Sequence, residues 1–198
     1  LYDKPPIQTF YEGSQIKVPI MSGYNNGEGL GSVMRQQNLP KSVSEQRDLR
    51  AARLGDLSEE LLELYVAENN EDLLEVEIDY VSDDMFVRAS RELALAGLRA
   101  NQDTFVYVFG RNSQEPENLA PHYAEVKYVF NKLEGSASRE DQNLASLMNS
   151  YWVQFARTGN PNQSGLPTWP AFDLETQTHQ FLDINICLIY TSDAADEE

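Results

Sequence analysis

The run Thr104-Phe-Val-Tyr-Val-Phe109 constrains this chain more than any other stretch. Every residue in it is β-branched or aromatic and Gly110-Arg-Asn-Ser closes it, so it reads as a strand. A second run, Val18 to Gly23, starts on a β-branched residue and ends in Tyr-Asn-Asn-Gly, which predicts a short buried strand followed by a turn. Strands covered on both faces belong to parallel sheets flanked by helices, and ligands in such sheets gather beyond the carboxyl ends of the strands. Two side chains occupy that position. Glu28 lies just past the first run, between Gly27 and Gly29, and His122 ends the loop from Gly110 to Pro121 that leaves the second. Strand topology lets them meet although 94 residues (122 − 28) separate them.

His122 is one of only two histidines, and imidazole is the side chain that titrates near neutrality without help. The glycines around Glu28 are expected to permit backbone angles that aim its carboxylate inward. Taken singly, each residue fits an ordinary surface turn better than a catalytic role.

Three longer patterns change that reading. They are Val18-Pro-Ile-Met-Ser-Gly-Tyr-Asn-Asn-Gly-Glu-Gly29, then His122-Tyr-Ala-Glu-Val-Lys-Tyr-Val-Phe130, then Tyr151-Trp-Val-Gln-Phe-Ala-Arg-Thr-Gly-Asn-Pro-Asn162 followed by Leu166-Pro-Thr-Trp-Pro-Ala-Phe-Asp173. In this order, from about Lys4 to about Ile184, the chain resembles the C-terminal part of the type B carboxylesterases, the cholinesterase-like branch of the α/β-hydrolases. The resemblance implies an α/β class and an α/β-hydrolase fold, of which residues 1–186 supply only the C-terminal part: an incomplete central sheet with flanking helices. It implies catalytic roles for Glu28, as the acid, and His122, as the base, of a serine-esterase triad. Acid before histidine is the chain order of such enzymes. Where the family commonly has Gly-Ala before the residue preceding the histidine, this chain has Leu119-Ala120 and then Pro121. Glu125, three residues after His122, would share a face with it on a helical turn and is expected to be a supporting carboxylate. His179 sits in the polar stretch Gln177-Thr-His-Gln180 and is expected to be exposed and inert.

The nucleophile is the missing member. No Gly-x-Ser-x-Gly and no triple-glycine loop occurs, and the chain opens on Leu1 rather than Met. The expectation is a fragment whose N-terminal part carries the serine and the oxyanion hole, with that part its necessary partner and the fragment alone inactive. The implied activity is hydrolysis of small-molecule carboxylic esters by a serine carboxylic-ester hydrolase. The alternative is a non-catalytic cholinesterase-like adhesion or binding module, and the presence or loss of an upstream serine elbow discriminates the two.

Charge and composition remove other classes. With 32 acidic against 15 basic residues the net charge is −17, a poor surface for nucleic acid or anionic membranes. A hydrophobic fraction of 41% and an aromatic fraction of 10% point to a folded chain. No apolar run approaches the roughly 18 residues of a membrane span. The single Cys187 rules out a disulfide within the chain, and no His, Cys or acidic grouping has a metal-ligand spacing, so neither metal nor other cofactor is expected. Residues 187–198 resemble the translation of a transposase sequencing adapter and are expected to be a non-native or disordered tail.

Helices are expected at Pro6–Gly13, within 39–74 with breaks at Pro40, Gly55 and Asn69-Asn70 and an incomplete cap at Ser58, at Met85–Asn101, and at Asp141–Thr158. Phe86, Ala89, Leu93, Ala96 and Ala100 predict the buried stripe of the third region. Leu144, Leu147, Met148, Tyr151, Trp152 and Phe155 predict that of the fourth. Gly159-Asn-Pro should stop it, with Trp169 and Phe172 packing back over it and Phe181–Ile186 forming a last extended segment.

Overall fold

The computed structural model describes residues 4–55, 59–111 and 119–189. The expected cap at Ser58 and most of the loop between Gly110 and Pro121 lie outside them. Four strands, β1 (Ile20–Asn25), β2 (Thr104–Phe109), β3 (His179–Leu182) and β4 (Cys187–Ile189), form one sheet in the order β1-β2-β3-β4. The first three run parallel and β4 returns antiparallel to β3. Eight helices flank it among the described residues: α1 (Pro6–Tyr11), α2 (Leu30–Val33), α3 (Val43–Leu54), α4 (Glu59–Leu64), α5 (Leu73–Ser82), α6 (Arg88–Arg99), α7 (Val126–Val129) and α8 (Arg139–Thr158).

The alternation of β2 sorts the core. Phe105 and Phe109 face α8, where Leu144, Ala145, Met148 and Tyr151 are buried around Trp169. Val106 faces the other way, onto Ala94 of α6 and onto Phe172. Trp169 is wholly buried and stands edge-on to Tyr151, with centroids 5.3 Å apart. Its indole N–H donates to the Val106 carbonyl at 3.2 Å, which satisfies the polar atom that burying a tryptophan otherwise strands. Asn162 clasps the Trp169 backbone from both sides at 2.7 and 2.8 Å. Trp169 thus packs over α8 as expected. Phe172 does not, because its N–H bonds the Thr104 carbonyl at 2.7 Å and carries the ring to the opposite face of the sheet.

Helix α8 is capped by the Ser138 hydroxyl, which accepts from the Asp141 N–H, and ends at Gly159 in the left-handed region at φ 79°. Near its start Asp141 receives a two-pronged bond from Arg111 at 2.7 and 3.2 Å and a third from the Tyr128 hydroxyl at 2.7 Å. This joins the end of β2, α7 and α8 at one buried carboxylate, and the Arg111 guanidinium holds that carboxyl well below the usual range.

The third helical region matches the expected stripe in part. A π-turn, Asp83–Val87, lies between α5 and α6 and adds a residue to the helical turn. The buried residues of α6 are Ser90, Ala94, Ala96 and Gly97; of the expected stripe, Ala96 and Ala100 are buried, Phe86 and Leu93 are half-buried and Ala89 is exposed. Small residues there let the helix approach the sheet: a Cβ on Gly97 would meet Thr104 Oγ1 at 2.2 Å. The Ser90 and Ser22 hydroxyls pair across the same seam at 3.0 Å.

Residues 187–189, set aside with the tail on sequence grounds, pair with β3 through Cys187↔Phe181 and Ile189↔His179. A tight turn after Leu182 folds Cys187-Leu-Ile back along the sheet edge, where the Cys187 carbonyl also accepts from the Gln180 side chain at 3.1 Å. Residues 190–198 lie outside the described part. Among the described residues no helix is long and apolar enough to cross a membrane.

Candidate active site

Strands β1 and β2 end level, with Asn25 opposite Phe109, so the chain leaves both at the same rim of the sheet. Beyond the rim the two loops run side by side through a parallel bridge between Gly27 and Pro121. The Gly27 N–H donates to the Ala120 carbonyl at 3.0 Å, and the Ala120 N–H donates to Asn26 Oδ1 at 2.8 Å. The Asn25 side-chain amide donates to the Pro121 carbonyl at 2.8 Å.

This lacing brings the two predicted residues together: His122 Nδ1 lies 2.6 Å from Glu28 Oε2. Glu28 is 6% exposed, and its other oxygen accepts the Asn25 backbone N–H at 3.0 Å. A buried carboxylate is tolerable only when its lone pairs are met in this way. The His122 side chain is half exposed, so one edge of the ring is tied to the carboxylate and the other side reaches open space. Phe86, on the π-turn, covers the ring at a centroid distance of 4.9 Å, and Tyr123 stands edge-on at 4.5 Å.

The glycines serve a purpose other than the expected one. Gly29 adopts φ −70°, a conformation open to any residue. What it requires is space: a Cβ there would sit 2.4 Å from the Ile78 carbonyl oxygen, and its N–H donates to Ser82 Oγ at 2.8 Å. The acid loop is seated directly on α5.

Glu125 also departs from expectation. It does not share a helical face with His122, because Tyr123 takes a left-handed conformation at φ 74° and α7 begins only at Val126. Its carboxylate turns toward Asn25 and accepts from that side-chain amide at 2.6 Å. Tyr107, on β2, is half-buried near both carboxylates, and desolvation followed by the Glu125 and Glu28 charges pushes its phenol upward, so it stays neutral. Burial likewise raises Tyr24 to about 12, with a smaller push from Asp83.

His179 is 6% exposed, contrary to the expectation of a surface residue. It opens β3 between Tyr24 and Phe172, with ring centroids 6.3 and 5.8 Å away, and burial lowers its proton affinity. Its polar neighbours Thr178 and Gln180 are buried too, Gln180 between Tyr107 of β2 and Leu188 of β4, which polarity alone does not reveal. Sequence reasoning missed Asn25, Asn26 and Phe86. The Asn-Asn pair reads as a turn signal, and only the lacing of the loops shows that both side chains bind the histidine segment. No group of three or more His, Cys, Asp or Glu side chains able to hold a metal occurs among the described residues.

Comparison with known proteins agrees with this architecture. The carboxylesterase family profile matches residues 1–194. A medium-chain fatty acyl-CoA hydrolase precursor of Anas platyrhynchos is 27% identical over 93% of this chain and 37% of its own length. Carboxylesterase 1E of Mus musculus is 30% identical over 87% of this chain and 34% of its own. Among solved structures, a PNB esterase superposes with a TM-score of 0.74 at 28% identity, covering 96% of this chain and 40% of the esterase. The chain therefore spans little more than a third of the length of these relatives, and its mixed sheet with flanking helices is part of an α/β-hydrolase fold. It is a member of the carboxylesterase family.

Proposed function

We propose that this chain is the C-terminal part of a serine carboxylic-ester hydrolase in which Glu28 is the acid and His122 the base of the catalytic triad. The observation that carries the reading is the 2.6 Å contact between His122 Nδ1 and Glu28 Oε2. With Nδ1 held by a buried carboxylate, Nε2 is the nitrogen presented to a nucleophile, and the tautomer is fixed as a serine esterase needs it.

In the proposed cycle His122 removes the proton of a serine hydroxyl as the oxygen attacks the ester carbonyl. The imidazolium, stabilised by Glu28, then protonates the departing alcohol and leaves an acyl-serine. Water attacks that ester with His122 again as base, releasing the carboxylic acid and restoring the serine. The serine and the oxyanion-hole donors belong to an N-terminal part that docks on this one, since the chain has no Gly-x-Ser-x-Gly of its own. Without that part the present residues hold a base with nothing to activate, and turnover is absent. The substrate class is a small carboxylic ester.

The test is His122→Ala in the full-length esterase, assayed with a p-nitrophenyl ester. Turnover should fall by about 10⁴-fold or more. Near-normal turnover would defeat the assignment.

A further inference from the structure

We propose that Asn25 is a positioning residue for the Glu28–His122 pair, and that its side-chain amide, with Glu125 as anchor, fixes where the imidazole stands. The proposal rests on the catalytic reading above and concerns a residue outside the acid and the base.

Asn25 is the last residue of β1 and is completely buried. Each of its polar groups but one is committed to the site. The backbone N–H orients Glu28 through Oε1 at 3.0 Å, and the side-chain nitrogen donates both to the Pro121 carbonyl at 2.8 Å and to Glu125 Oε2 at 2.6 Å. Pro121 immediately precedes His122, so the amide grips the histidine segment one residue from the imidazole, and Glu125 grips the same amide from three residues beyond. One side chain thereby spans the rim from the acid loop to both flanks of the base.

The remaining atom, Asn25 Oδ1, is buried with no hydrogen-bond partner among the described residues. Such an orphan is unfavourable in a protein interior, and native structures rarely keep one without a reason. Both neighbours of the nitrogen are acceptors, so only one orientation of the amide serves them, and that orientation strands the oxygen. The side chain is set to hold the histidine segment at the expense of its own satisfaction. The carboxylates that Asn25 touches are Glu28 and Glu125, whose charges also act on Tyr107, and Tyr24, Tyr65, Asp79 and Asp83 line the same cavity as Asn25.

The test uses the full-length esterase, with kcat and KM normalised to active sites titrated by a chromogenic organophosphate. Asn25→Ala should lower kcat by about 10–100-fold with little change in KM, because sub-ångström misplacement of a catalytic group acts on the chemical step. Asn25→Asp sets a carboxylate against Glu125 and should move the acid limb of kcat/KM to higher pH, since added negative charge favours the imidazolium. Adding Glu125→Gln to Asn25→Asp restores a donor–acceptor pair of opposite polarity and should recover part of kcat; this double variant carries the test if Asn25→Ala does not fold. Wild-type kcat per titrated site in Asn25→Ala, or no recovery and no shift of the acid limb in the aspartate variants, overturns the positioning role. Because that outcome leaves the His122→Ala result untouched, it is distinct from failure of the catalytic reading, which appears as activity surviving His122→Ala.

Discussion

Gly29→Ala probes how the acid is held. The new methyl would lie 2.4 Å from the Ile78 carbonyl oxygen and 3.0 Å from both Ser82 N and Oγ, and the nearest of these is helix backbone that cannot swing aside. Relief requires the loop to lift from α5, which stretches or breaks the 2.8 Å bond from the Gly29 N–H to Ser82 Oγ. Overpacking costs about 1–3 kcal/mol and the lost hydrogen bond about 0.5–1.5, so the sum is about 1.5–4.5 kcal/mol. Because Glu28 is the adjacent residue, the same displacement should lengthen its contact with His122 and lower kcat as well as the melting temperature of the full-length esterase. Gly135→Ala is the control: nothing lies within 4 Å of a Cβ there and the backbone is not left-handed. That change should be neutral or slightly stabilising. Equal, small effects of the two substitutions on melting temperature and turnover would refute the claim that the acid loop is seated by close approach.

Asp141→Asn should destabilise the protein by about 3–5 kcal/mol in thermal or denaturant melts, because Arg111 is left partly buried without its counter-charge. In the parent protein the Asp141 carboxyl is depressed below its unfolded value of about 3.9, so its contribution is present above that pH and is lost as pH falls through the lower folded value; the variant should lack this acid-dependent loss. His179 has the opposite partner state. Burial, with a smaller effect from Arg91, disfavours its charged form, so the unfolded chain binds more protons below about pH 6.5, and stability should fall as pH drops from there toward the folded value. His179→Phe keeps the aromatic packing between Tyr24 and Phe172 and should remove that slope from melting curves recorded between about pH 5 and 7; an unchanged slope would show that another group carries it.

What could be read in advance was what local chemistry dictates. The run 104–109 has no competing reading, and its strand has those bounds. Strand β1 begins at Ile20 rather than Val18, because Pro19 has no N–H to give to the ladder, and it continues through Tyr24 and Asn25, which resemble turn residues in isolation. Gly159 stops α8 by adopting the left-handed conformation, as a glycine before Asn-Pro should. Features that depend on tertiary contact were hidden. The π-turn at Asp83–Val87 shifts the helical phase, so of a stripe counted at uniform helical spacing Ala96 and Ala100 are buried while Ala89 is exposed and Ser90 and Ala94 take the buried places. His179 and Gln180 are buried because β3 is paired on both edges, and nothing in a polar tetrapeptide announces that.

The site shows the same division. Glu28 and His122 stand out in the sequence through the longer patterns that resemble the carboxylesterases, supported by their position after two strands. The connection between them does not, because it consists of the Asn25 amide donating to the Pro121 carbonyl and the Glu125 carboxylate and the Asn26 amide oxygen accepting from the Ala120 N–H, all far away in sequence. The glycines beside Glu28 were legible as glycines, but their reason, close approach of Gly27 to residues 119–120 and of Gly29 to α5, belongs to packing.

The most direct test of the central claim is the rate at which a fluorophosphonate labels the nucleophilic serine of the full-length esterase, followed by mass spectrometry in the wild-type, Glu28→Gln and His122→Ala proteins. If a carboxylate and an imidazole 2.6 Å apart activate that serine, labelling should slow by at least about 10³-fold in His122→Ala and by a comparable factor in Glu28→Gln. Labelling of either variant at the wild-type rate would contradict it.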